Sequence, residues 1–223
     1  MNADKKSVLF DYDGVIIDSI DSVIGRWNTT ARVFGNKKTI DKKFVRNRNS
    51  VVWREFYQAE LGVPKDKLNE AAQIFRQNAQ NDAALPIFDG MKEAILKLHQ
   101  RYQLFILSSS YSEAIRNFLE RHEIISYFND IVGDDEAGGI GKTEPEFYLN
   151  PMGRWGIKPE AAIHIGDTVV EIGGAKRAGL KTIGCTWGYQ DRSLLESAGP
   201  DLIADRPEQL PVLVDRLFNN SQS

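Results

Sequence analysis

At 223 residues, 42% hydrophobic and 26% charged, the chain is long enough for one sizeable core or a core carrying a smaller inserted domain. A net charge of -3 excludes a strong electrostatic draw toward nucleic acid or an anionic membrane surface. The single cysteine, Cys185, excludes an internal disulfide framework and suits a reducing cytoplasm.

In chain order, the polar start Met1–Ser7 carries no apolar leader, and no stretch approaches the length of a membrane span. Val8-Leu9-Phe10 reads as a short buried strand, and Asp11-Tyr12-Asp13-Gly14-Val15 follows it directly. Ile16 to Gly35 reads as an exit segment and then a helix that Gly35 closes. A basic stretch with Lys37, Lys38, Lys42, Lys43, Arg46 and Arg48 comes next, and helical patterns follow over Val51–Leu61 and Asp66–Asn81. No convincing alternating strand lies between Gly14 and Phe88, so this region reads as an all-helical insert.

From Asp89 the pattern becomes a repeated helix–strand alternation. Strands are expected at Gln103–Leu107, Asp130–Val132, Ala162–Ile165, Lys181–Cys185 and Leu202–Ala204. Helices are expected around Gly90–Arg101, Thr168–Gly179 and Pro207–Phe218. Ser110-Tyr111-Ser112-Glu113 and Thr143-Glu144-Pro145-Glu146 have the spacing of capping boxes opening two more helices. This order predicts an α/β fold: a Rossmann-like parallel sheet with helices on both faces, built from residues 1–14 and 89–223. Residues 15–88 would form the inserted helical cap domain.

In an open α/β sheet, ligands bind at the carboxyl ends of strands. Four polar elements share that position: Asp11 and Asp13, Ser108-Ser109, Lys142, and Gly166-Asp167. The residue types suit phosphoryl transfer. Asp11 can attack phosphorus to form an aspartyl-phosphate. Asp13 can protonate the leaving oxygen and later activate water, help worth about 10²–10⁴ in rate. Asp11 and Asp167 suit Mg²⁺, which takes hard oxygen ligands, and Lys142 can neutralise the transferring group. Ser108 can donate to a phosphoryl oxygen, and Ser109 can assist through its side chain or N–H.

These motifs resemble the haloacid dehalogenase superfamily in its phosphatase branch, over nearly the whole chain from Val8 to about Leu213. Asp11-Tyr12-Asp13-Gly14-Val15 is similar to the first family motif, Ser108 to the second, Lys142 to the third, and Gly166-Asp167-Thr168-Val169-Val170-Glu171 to the fourth. The resemblance implies a nucleophile at Asp11, an acid/base at Asp13, and magnesium held by Asp11, the Asp13 carbonyl and Asp167. Two positions depart from the common pattern: Ser108-Ser109 stands for Thr-Asn, and Thr143 follows Lys142 in place of Pro. Within the branch, Gly166 to Tyr189 is most similar to phosphoglycolate phosphatases.

Bland readings stand beside these. Glu171 fits either a capping box or a partner of the metal or Lys142. Asp134 and Asp135 read as solvated turn residues, and Cys185 as a small buried hydrophobe. Arg46, Arg48 and Arg54 are candidate substrate contacts, although a basic run is commonly a solvated face. Together with Gly14 and Ser109 they make up the expected substrate-binding set, and Asp11, Asp13, Asp167 and Glu171 the expected metal set. The expected partner is a small phosphorylated metabolite; monomer and homodimer stay open. Two other activities share part of this pattern. A phosphosugar mutase, like beta-phosphoglucomutase, would need groups to manage sugar-hydroxyl protons, and residues 15–88 contain no His. A phospho-Asp signalling module would be about half this length with its Asp on a mid-chain strand.

Overall fold

The computed structural model describes residues 6–48, 53–77 and 84–219. Its strands are β1 (Ser7–Phe10), β2 (Gln103–Leu107), β3 (Asp130–Val132), β4 (Ala162–Gly166), β5 (Lys181–Cys185) and β6 (Leu202–Ala204). They form one parallel sheet in the order β3-β2-β1-β4-β5-β6. The expected strands at Val8–Phe10 and Ala162–Ile165 each prove one residue longer, and the α/β class holds.

Side chains alternate across a strand, so neighbouring residues serve opposite faces. Val8 and Phe10 join a cluster with Leu104, Ile106, Ile163 and Ile165, while Leu9 joins Phe105, Leu107 and Ala162 on the other side. Both faces are therefore apolar, which is why the strands read as unbroken apolar runs. Helices α5 (Met91–His99), α6 (Ser112–Arg121) and α10 (Leu210–Asn219) cover the first face. Helices α7 (Glu146–Trp155) and α8 (Val169–Arg177) cover the second.

Between β1 and α5 lie helices α1 (Ile20–Val33), α2 (Lys42–Arg46), α3 (Trp53–Ala59) and α4 (Leu68–Gln77). They pack around an apolar cluster of their own, with Ile24, Ile40, Phe56, Tyr57, Leu61 and Ala71. The ends of the helical patterns at Val51, Val52 and 78–81 lie outside the described residues. Helix α2 falls within the basic stretch and was not expected from periodicity; Asp41 opens it by accepting the Phe44 N–H at 2.7 Å. The short helix α9 (Arg192–Ser197) was likewise unexpected. The two chain segments joining insert and sheet run side by side. Ile17 bridges Ile87, the Asp18 N–H bonds the Pro86 carbonyl at 3.0 Å, and the Phe88 N–H bonds that of Ile16 at 3.2 Å.

Neither expected capping box forms. Helix α6 begins after Tyr111, and its Ser112 N–H goes to the Asp135 carboxylate at 2.8 Å, so Asp135 is a helix cap and not a free turn residue. Helix α7 begins after Pro145, which makes no side-chain cap, and the Thr143 hydroxyl bonds Glu144 at 3.1 Å instead. The spacing was right and the partners were not: the Ser110 hydroxyl goes to Asp13, the Ser112 N–H to Asp135 and the Thr143 hydroxyl to Glu144.

Candidate active site

From β1 the chain builds outward through β2 and β3, and from β4 it builds the other way through β5 and β6. The reversal opens a crevice at the carboxyl ends of these adjacent strands, the usual ligand position in such sheets. Asp11 leaves β1 there, its N–H held by the Ile165 carbonyl at 2.9 Å, and Asp167 leaves β4 beside it.

Lys142 comes in from the loop between β3 and α7. Its Nζ donates to Asp11 Oδ1 at 2.7 Å and makes a second, shorter contact with Glu171 Oε1. Burial alone would lower the Lys142 pKa; Asp11 and Glu171 outweigh it and raise it, so the ammonium stays charged. Burial also works against the Glu171 carboxylate, but Lys142 wins and holds it at about 2. Glu171 resolves the two readings left open for it. The Thr168 hydroxyl accepts the Glu171 N–H as a helix cap, while the Glu171 carboxylate takes Lys142 and the Asp167 N–H at 3.1 Å.

Asp11 and Asp167 are nearly inaccessible, and burial, followed by the charge of Glu171, pushes both carboxyls well above the usual range. Carboxylate oxygens of Asp11, Asp167 and Glu171 lie within 4.8 Å of one another. Asp167 Oδ1 is buried with no hydrogen-bond partner. A hard divalent cation fits this set, since it would satisfy that oxygen and offset the crowded charge. Both oxygens of Glu171 already accept hydrogen bonds, so it is better placed to orient Lys142 than to bind the ion itself.

The remaining expected residues surround this centre. Ser108 is buried; its Oγ accepts the Ser110 N–H at 3.1 Å, which leaves its own O–H to donate. Ser109 is exposed beside it. Gly14 has φ +78°, and a Cβ there would stand 2.1 Å from Asp167 Oδ2, so only glycine allows this approach. Asp13 accepts a hydrogen bond from Ser110 Oγ at 2.6 Å, the contact that draws Ser110 away from the expected cap.

The three arginines are not gathered at the carboxylates. Arg46 pairs with Asp191 at 3.3 Å, while Arg48 pairs with Glu60 and lies over the Phe44 ring. Arg54 is exposed, and its charge reaches Asp134. Sequence reasoning missed Ser110, read as a helix cap, and Gln190, which carries no motif. It also missed Arg26, buried in the insert with its guanidinium 4.4 Å from the centre of the Phe75 ring. Tyr189 donates its N–H to Asp167 Oδ2 at 2.6 Å, and its phenol bonds Ser19 at 2.8 Å.

The chain is similar to known proteins along nearly its whole length. The chain is 27% identical over 214 residues to a phosphoglycolate phosphatase of Synechococcus elongatus, covering 96% of this chain and 99% of that one. It is 28% identical over 208 residues to a probable phosphatase of Dickeya dadantii, covering 90% of each. A haloacid dehalogenase-like hydrolase from Streptococcus pneumoniae shares the fold with a TM-score of 0.80 at 24% identity, over 97% of this chain and 100% of that one. Residues 8–185, which span both site strands and the helical insert, match the model of the haloacid dehalogenase-like hydrolases, and the chain belongs to that family of enzymes.

Proposed function

We propose that this enzyme is a Mg²⁺-dependent phosphomonoester hydrolase that acts on a small phosphorylated metabolite through an aspartyl-phosphate. The observation that carries this reading is the buried Asp11–Lys142–Glu171 chain beside Asp167 at the switch point of the sheet. Phosphoglycolate is the first substrate to test, because relatives along nearly the full chain bear that name.

The steps follow from the side chains. Lys142 and the Ser108 hydroxyl hold the phosphoryl oxygens, with Ser109 and the Gly14 backbone close by. Asp11 attacks phosphorus in line, the ester bond breaks, and Asp13 gives its proton to the leaving alkoxide. Asp13, now ionised and held by Ser110, takes a proton from water, which attacks the aspartyl-phosphate and releases inorganic phosphate. Asp11, Asp167 and the Asp13 carbonyl would hold Mg²⁺, which supplies positive charge to the transferring phosphoryl group. Residues 15–88 act as the cap that covers the substrate and excludes water, over a core of 1–14 and 89–223. The lone cysteine, Cys185, is buried in β5, in keeping with a cytoplasmic setting.

The test is phosphate release from a panel of phosphomonoesters, phosphoglycolate included, with Mg²⁺ or with EDTA. Turnover should require the metal, and Asp11→Asn should lower kcat by roughly 10⁴-fold or more. Turnover that survives Asp11→Asn would overturn the covalent mechanism.

A further inference from the structure

Gln190 is among the few buried polar side chains, 3% exposed, and no motif includes it. Both ends of its carboxamide are used, and on different parts of the molecule. Oε1 accepts the N–H of Val169, the first residue of α8, at 2.6 Å. That N–H belongs to the helix start and has no partner inside the helix. Nε2 donates to the backbone carbonyl of Arg48, in the helical insert, at 2.8 Å.

Its neighbours repeat the pattern. Tyr189 gives its N–H to Asp167 Oδ2 and joins its hydroxyl to Ser19, just before α1. The Asp191 N–H bonds the Arg46 carbonyl at 3.3 Å, and its carboxylate pairs with the Arg46 guanidinium. Upstream, the Trp187 indole N–H bonds the Val15 carbonyl at 3.2 Å. Gly188 packs so closely that a Cβ would fall 2.2 Å from Asp167 Oδ2. The segment from Trp187 to Asp191 is thus a strap that touches Asp167 on one side and the insert on the other.

We propose that Gln190 is a positioning residue: it ties the seating of the helical insert to the orientation of Asp167. With the insert seated, the Arg48 carbonyl holds Gln190 and the strap is fixed. Tyr189 then holds Asp167 Oδ2, which leaves Oδ1 turned toward the site. When the insert lifts, Gln190 loses its acceptor and the strap slackens. Binding at Asp167 and closure of the insert therefore favour one another. The kinetic consequence rests on the phosphatase reading; the coupling itself does not.

Two substitutions in the full-length protein separate the contacts. Gln190→Met removes both hydrogen bonds. Gln190→Glu keeps an acceptor for Val169 but sets a carboxylate oxygen against the Arg48 carbonyl. In substrate-free protein, backbone hydrogen exchange over 42–48 and 187–191 should rise about 5- to 10-fold in both variants, with β1 and β4 unchanged. Mg²⁺ affinity measured by calorimetry should fall several-fold, and KM for the best ester should rise about 10-fold while kcat stays within about 3-fold. Wild-type exchange over 42–48, or an equal rise there and in β1 and β4, would overturn the proposal. If Gln190→Met fails to fold, Gln190→Glu carries the same comparison. A wild-type protein that hydrolyses no ester would refute the phosphatase reading, and the exchange data would still decide the role of Gln190.

Discussion

Lys142 is claimed by two carboxylates at once, and that competition sets the charge of the whole site. Glu171 keeps its negative charge against burial chiefly because the ammonium is beside it, and that ammonium also reaches Asp11. A different buried group, His164 on β4, bears on stability. It lies edge-on to the Tyr148 ring at 5.1 Å, and burial holds its pKa near 4, below the ordinary 6.5. The unfolded chain then binds a proton between these values that the folded chain refuses. The His164 contribution to stability is therefore full above pH 6.5 and is lost as the pH falls toward 4, by up to roughly 3 kcal/mol, while the raised Asp11 and Asp167 carboxyls act in the opposite sense. Denaturant unfolding of wild type and His164→Leu across that window should show wild type losing up to that much more stability than the variant as the pH falls. A variant that follows the wild-type curve would show that other groups cause the loss. Asp11, Asp13 and Asp167 were legible as candidates because they follow closely on apolar runs, and Lys142 because it lies in the Gly-rich loop after one. Gln190 was not, since a buried amide has no sequence signature and its two partners lie 21 and 142 residues away.

Among the elements, the turn after β4 does the most. Thr168 caps α8, the Glu171 carboxylate folds back to the Asp167 N–H, and the strap after β5 closes over both. Gly188 is the narrow point: beyond the clash with Asp167, its added Cβ would lie 2.5 Å from the Gly14 carbonyl. Because Asp167 is buried, it has no room to give way. Gly188→Ala should lower kcat/KM by about 10²-fold, the usual penalty for displacing a site group by an ångström. Steady-state kinetics beside a thermal melt checks this, and near-wild-type turnover would mean that the strap adjusts freely. Helix and strand types were legible wherever apolar spacing was strong. Helix α2 was hidden because only Val45 of its five residues is buried, so it has almost no apolar face to show. The capping signals misled for a related reason: Ser110 had a stronger claim from Asp13, a residue 97 positions away.

For the whole molecule, the carboxylate cluster exacts a cost that a cation relieves. Asp11 and Asp167 have raised pKa values, so keeping them ionised near neutral pH works against the folded state. Mg²⁺ bound between them should offset this. At about 100 times its Kd, binding adds roughly 2.7 kcal/mol of stability, which for a chain of this size raises Tm by about 5–10 °C. Melting curves with Mg²⁺ and with EDTA should differ by that amount, and Asp167→Asn should remove the difference. An unchanged Tm would place the metal elsewhere or leave it unbound.

Taken alone, the sequence determined the α/β class, because apolar runs alternating with helical spacing are a local matter, and it drew out Asp11, Asp13, Ser108, Lys142 and Asp167 as candidates. Tertiary structure decided everything that depends on which groups meet. It put Asp11 beside Lys142 across 131 residues, sent Arg46 and Arg48 to Asp191 and Glu60, and brought Gln190 between α8 and the insert. A charge or an amide has many possible partners along the chain, and only the folded packing chooses among them.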